Sequence, residues 1–178
     1  MKFHKTTIED CYLIDSKVFR DERGKFIKPF NYIEFKRNGI EFIIKEEYFT
    51  ISKMNVLRGM HFQNPPKAVA KLIACLEGEV MDVVIDLRKK SKTYLKVFST
   101  TLREDGYKML FVPEGLAHGF VARSEKAMML YMCSEVYSPE NDNGIKWDSI
   151  EIDWNITNPI VSQRDNSLMP LNQFKTPF

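Results

Sequence analysis

The sequence predicts an all-β protein built as one jelly-roll barrel or sandwich of short strands. Three observations carry that reading. Short apolar and β-branched runs recur at close intervals, separated by turn residues. The 178 residues suit one domain, and 44% hydrophobic with 12% aromatic content supplies a core. Helical periodicity is scarce, and no repeat or linker-like stretch breaks the chain.

Taken in order, the best helix runs from Asn31 to Asn38, with Gly39 as its stop. Lys71 to Leu76 reads as a strand, and Glu77-Gly78 turns it. Glu79 to Arg88 alternates. Met81, Val83, Ile85 and Leu87 share one face, and Asp82, Asp86 and Arg88 the other. Tyr94 to Leu102, Tyr107 to Val112, Gly119 to Ala122 and Ala127 to Tyr137 read as further strands. Pro113-Glu114-Gly115 punctuates them. The tail from Asn155 is irregular with a few short turns. Trp147 and Trp154 read as packing anchors, and Asp86 with Arg88 as a surface pair.

Composition narrows the class without naming a reaction. Lys+Arg total 26 against Asp+Glu 24, a net charge of +2, which gives no reason to expect a nucleic-acid surface. Apolar runs such as Val83-Val84-Ile85 fall far short of the ~20 residues a membrane span needs. Cys11, Cys75 and Cys133 are odd in number and lack CxxC spacing, so they read as buried reduced thiols. A cytoplasmic protein is expected.

Chemistry narrows to two of the three histidines, since His4 lies near the terminus. His61 follows Arg58-Gly59-Met60, and His118 precedes Gly119-Phe120. A His-x-His metal motif is absent, because Gln63 stands two after His61. An imidazole can instead take a proton from carbon if the product anion is stabilised. Such a site needs a carboxylate behind the ring, a cation for the enolate and an acid on the far side. Lys71, Asp82, Asp86, Tyr131 and Asp165 qualify by type, and spacing does not choose among them. Lys71 and Asp82 fit solvated strand charges equally well, and Tyr131 fits a core residue. Strand parity sets Arg58 and His61 on opposite faces unless Gly59 carries a bulge.

The ordered set of motifs is more specific. Phe19 to Phe26, Arg58-Gly59-Met60-His61-Phe62-Gln63 with Pro65-Pro66 and Lys71-Leu72, and Gly78 to Arg88 with Ser91 to Tyr94 occur in that order. Val112 to Phe120, Tyr131 to Glu140, Gly144 to Trp147, Ile152 to Trp154 and Ser162 to Asp165 follow. Together they resemble the dTDP-4-dehydrorhamnose 3,5-epimerase family over nearly the whole chain. The resemblance implies a cupin-like jelly roll, forming a homodimer with exchanged N-terminal strands. It divides the chain into an arm of about 1–50, a barrel of about 51–137 and a C-terminal segment, 138–178. It implies cofactor-free, metal-free epimerisation at C3 and/or C5 of a nucleotide-linked 4-keto-6-deoxyhexose. His61 becomes the base, Asp165 its orienting carboxylate, Lys71 the enolate stabiliser and Tyr131 the acid. Arg58, His118, Asp82 and Gln63 become substrate contacts. Tyr137, Arg23 and Phe26 reach the nucleotide, the last two in the neighbouring subunit.

The sequence departs from the family pattern at Lys28, Glu46, Tyr48, Val69 and Met132. These departures spare the expected catalytic groups. They suggest the same reaction on a different nucleotide or sugar, or at one carbon only. A 3,4-ketoisomerase, a non-catalytic sugar-binding cupin and a metal-dependent cupin enzyme remain the competing readings.

Overall fold

Strand after strand, alternation resolves into antiparallel ladders. The computed structural model describes all 178 residues. The N-terminal third holds β1 (Lys2–Lys5), β2 (Tyr12–Asp15), β3 (Lys17–Asp21), β4 (Gly24–Lys28), α1 (Tyr32–Arg37) and β5 (Glu46–Lys53). The central part holds β6 (Leu57–Gln63), β7 (Lys71–Glu77), β8 (Glu79–Asp86), β9 (Val97–Arg103) and β10 (Lys108–Val112). Then come β11 (Leu116–Ala122), β12 (Lys126–Cys133), β13 (Asp142–Gly144) and α2 (Gln163–Asn166). One sheet runs β1-β2-β10-β7-β12-β5, and the facing sheet runs β13-β6-β11-β8-β9. This is the expected jelly roll. No helix is long and apolar enough to cross a membrane.

The sheets enclose the main core. Ile73, Leu110 and Met129 come from one side, and Val80, Val84 and Phe120 from the other. Each sheet also buries its outer face. Phe35 of α1 and Phe42 pack on Leu72, Met109 and Phe111 of the six-stranded sheet. Trp154, Phe174 and Phe178 of the tail cover Leu57, Val83 and Ile85 of the other. Complete burial of one such phenylalanine contributes about 2–3 kcal/mol. Asn31 caps α1 by accepting the Glu34 N–H, as the helix reading requires. Trp147 and Trp154 meet edge to face at 6.4 Å, so they are the expected anchors.

Three expectations need correction. β9 begins at Val97 rather than Tyr94, because Leu95 turns left-handed (φ 63°) and bonds back to Asp86. β12 ends at Cys133, opposite Glu46, where its partner strand β5 begins. The largest correction concerns β8. Its polar face, with Asp82 and Asp86, turns into the barrel, and both carboxylates are fully buried. Asp86 and Arg88 are therefore no surface pair. Arg88 forks onto Asp86 with two bonds of 2.9 Å, while Ser91 and Thr93 add hydroxyls at 2.6 and 2.7 Å. Burial opposes the charge, but those donors outweigh it and hold the Asp86 carboxyl below its ordinary value.

The β3–β4 hairpin stands apart as its own two-stranded sheet. Its Phe19 and Phe26 rings meet each other at 6.0 Å, and Phe26 is 61% exposed.

Candidate active site

The site begins with two glycines. Gly59 of β6 has φ +140°, and a Cβ there would lie 2.5 Å from Gly119 Cα. A Cβ on Gly119 would lie 2.8 Å from Arg58 O. Only glycine on both strands lets β6 and β11 approach this closely. The ladder registers His118 against His61 and Phe120 against Arg58, so β6 carries one extra residue between them. That bulge at Gly59 sets Arg58 and His61 on one face, resolving the parity conflict.

The bulge also aims the Gly59 N–H outward from the ladder. It donates to Asp165 Oδ2 at 3.1 Å. Asp165 sits in α2, whose N-cap Ser162 accepts the Asp165 N–H at 3.0 Å. Its other oxygen lies 2.8 Å from His61 Nε2. Burial acts against the Asp165 charge, yet the bonds from His61 and Gly59 win and hold its carboxyl below the ordinary value. An ionised carboxylate only accepts, so Nε2 carries the proton and Nδ1 keeps its lone pair. Burial pushes the His61 pKa below 6.5 in spite of Asp165, so the ring is neutral at pH 7.

Around this dyad stand the other groups. Lys71 is buried, enters no ion pair, and has its pKa lowered by burial. An ammonium in that position has unspent hydrogen-bonding capacity for an anion. Tyr131 is 5% exposed, and burial raises its pKa well above the ordinary value, so it remains a proton donor. His118 Nε2 lies 2.8 Å from Asp82 Oδ2, with both residues buried. Asp82 Oδ1 and Thr50 Oγ1 are buried without a hydrogen-bond partner.

A cavity of about 520 Å³ opens on His61 and Lys71 of this cluster, whereas Tyr131, His118, Asp82 and Arg58 do not line it. Its wall includes His61, Lys71, Gln63, Tyr48, Cys133 and Val69, with Tyr137, Glu46, Glu135, Asp142 and Arg164 toward the rim. Gln63 is spent on the backbone, donating to Lys67 O at 2.8 Å and accepting from Ser138 N–H at 2.8 Å. Arg58 donates to Ser52 Oγ at 3.0 Å, and its charge acts on Tyr131. Tyr137 is 58% exposed and donates to Asp142 at 3.3 Å. Arg23 and Phe26 lie on the β3–β4 hairpin, where Arg23 pairs with Asp21, and neither lines this cavity. Arg164 had no role in the sequence reading, although it adjoins Asp165. Here it bridges Asp142 at 2.6 Å and Asp165 at 3.5 Å, beside the cavity.

Comparison with known proteins agrees over almost the whole chain. The family model described as dTDP-4-dehydrorhamnose 3,5-epimerase matches residues 5–173. A dTDP-4-dehydrorhamnose 3,5-epimerase of Methanothermobacter thermautotrophicus is 39% identical over 97% of this chain and 95% of its own. A crystal structure of dTDP-4-dehydrorhamnose 3,5-epimerase from Elizabethkingia anophelis superposes with a TM-score of 0.92. It is 37% identical and 97% of each chain is covered. One from Bacillus anthracis, with TDP and PPi bound, superposes with a TM-score of 0.93. It is 34% identical over 96% of this chain and 99% of that one.

Proposed function

The chain belongs to the dTDP-4-dehydrorhamnose 3,5-epimerase family, and from that premise we propose that it epimerises a dTDP-linked 4-keto-6-deoxyhexose at C3 and C5. It is an isomerase that works by proton abstraction and return. One observation carries the reading: the free Nδ1 of His61 and the unpaired ammonium of Lys71 line the same cavity.

Hydrogens beside a ketone become acidic only as negative charge develops on the ketone oxygen. Lys71, buried and unpaired, stabilises that oxyanion at C4 far better than water does. His61 takes the proton on Nδ1, and Asp165 stabilises the imidazolium that forms. Tyr131 returns a proton to the opposite face of the enolate and so inverts the carbon. Asp82 Oδ1 and Thr50 Oγ1 suit the hydroxyls of a sugar. Arg164 and Arg58 add positive charge for the diphosphate, and the exposed Tyr137 ring at the rim offers a stacking surface to the base.

A two-stranded hairpin is marginal alone, and β3–β4 exposes Phe19 and Phe26. We assign it to a homodimer, in which the hairpin packs on a second copy and brings Arg23 and Phe26 to the neighbouring cavity. Three buried free thiols fit a reducing compartment, so the cytoplasm is the proposed location.

The test is solvent exchange. The enzyme is incubated in deuterated water with the dTDP-4-keto-6-deoxyhexose, and the C3 and C5 proton signals are followed by NMR. Loss of both, with inverted product, is expected. Loss of one would reduce the reading to a mono-epimerase. No exchange in folded protein would refute it.

A further inference from the structure

Tyr48 is one of the departures from the family pattern, and the structure gives it a definite place. β5 and β12 register Tyr48 directly against Tyr131. The two rings stack with centroids 4.8 Å apart and planes 16° apart. On its other side, Tyr131 meets His118 nearly edge to face at 6.0 Å. Tyr48 is the outer ring of the stack, 40% exposed against 5% for Tyr131. It lines the cavity beside His61 and Lys71.

We propose that Tyr48 is a positioning residue for Tyr131. The stacked ring fixes the plane of the acid. Protonation then comes from Tyr131 on the far face, rather than from the His61 imidazolium on the face the proton left. This rests on the reading of Tyr131 as the acid. The balance is simple. The C–H bond breaks, its pair enters the enolate, and the proton goes to His61 Nδ1. A new C–H bond then forms with the Tyr131 hydroxyl proton; His61 releases its proton to solvent and solvent reprotonates the phenolate. If the His61 Nδ1 proton instead exchanges with solvent and a deuteron returns from His61 to the same face, the carbon exchanges without inverting. The quantity that Tyr48 governs is therefore the ratio of inverted to merely exchanged sugar.

The experiment measures that ratio by NMR in deuterated water for the wild-type enzyme, Tyr48→Phe, Tyr48→Ala, Tyr48→Leu and Tyr131→Phe. Phenylalanine keeps the stack and should hold the ratio within about twofold of wild type. Alanine should lower it about tenfold, the scale on which one aromatic pair biases a conformer, with total exchange largely preserved. Leucine keeps bulk without an aromatic face and should fall with alanine. It also carries the test if the alanine variant does not fold. The ratio is internal to the active molecules, so partial loss of folded protein does not alter it. An unchanged ratio in the alanine or leucine variant would overturn the proposal. So would a phenylalanine variant that falls as far as alanine. Normal inversion by Tyr131→Phe would instead remove the acid assignment itself, which separates the two failures.

Discussion

The barrel contains two histidine–aspartate pairs that look alike on paper and differ in use. His61 and His118 face each other across β6 and β11, and each presents Nε2 to a carboxylate at 2.8 Å. The His61 side chain is 27% exposed and lines the cavity, whereas that of His118 is 5% exposed and does not. Asp165 is further held by Gly59 and Arg164. Asp82 has one oxygen with no partner at all. The difference teaches that the pair alone does not make a base. What decides is whether the second nitrogen opens on a space where a carbon acid sits.

The sharpest way to break this comparison is to remove each ring in turn. His61→Asn should lower C–H exchange about 10³-fold, the scale of a lost general base. His118→Asn should retain far more exchange. Equal losses, measured by NMR in deuterated water, would erase the distinction. Next is Asp165→Asn, which can donate to Nε2 and so favours the tautomer with Nδ1 protonated. A fall of about 10²-fold in kcat/KM is expected, with the melting temperature nearly unchanged.

The buried pair should also answer in stability. Asp82→Ala strands the His118 N–H in the core and should cost about 2 kcal/mol in urea unfolding. The smallest effect is the pH response. Burial lowers the His61 pKa, so exchange should fall at a more acidic pH than an ordinary imidazole base would give. The unfolded chain therefore binds more protons at His61 than the folded chain between the folded-state pKa and the ordinary imidazole value, so stability is lost as pH falls into that window. His61→Asn should flatten that part of the melting curve against pH.

How much of this was legible beforehand depended on the residue. Gly59 was legible because strand parity contradicted the expected pairing of Arg58 with His61, and only a bulge removes that conflict. Asp86 was misread for a physical reason. Alternation along β8 separates two faces but does not say which meets water, and the apolar one is covered by Trp154, Phe174 and Phe178 from far along the chain. Arg164, Glu135 and Asp142 come from segments with little regular period, so nothing local marked them as cavity wall. Tyr48 was visible only as a departure. Its stack on Tyr131 depends on the register of β5 against β12, which one sequence does not specify.

The central claim is that His61 is neutral at pH 7, with its proton on Nε2 and Nδ1 free. Long-range proton–nitrogen NMR of the imidazole-labelled protein reads this directly. The expected result is the neutral Nε2–H tautomer for His61 at pH 7, with imidazolium appearing at a more acidic pH than for an ordinary histidine. An imidazolium or an Nδ1–H tautomer at pH 7 would contradict it.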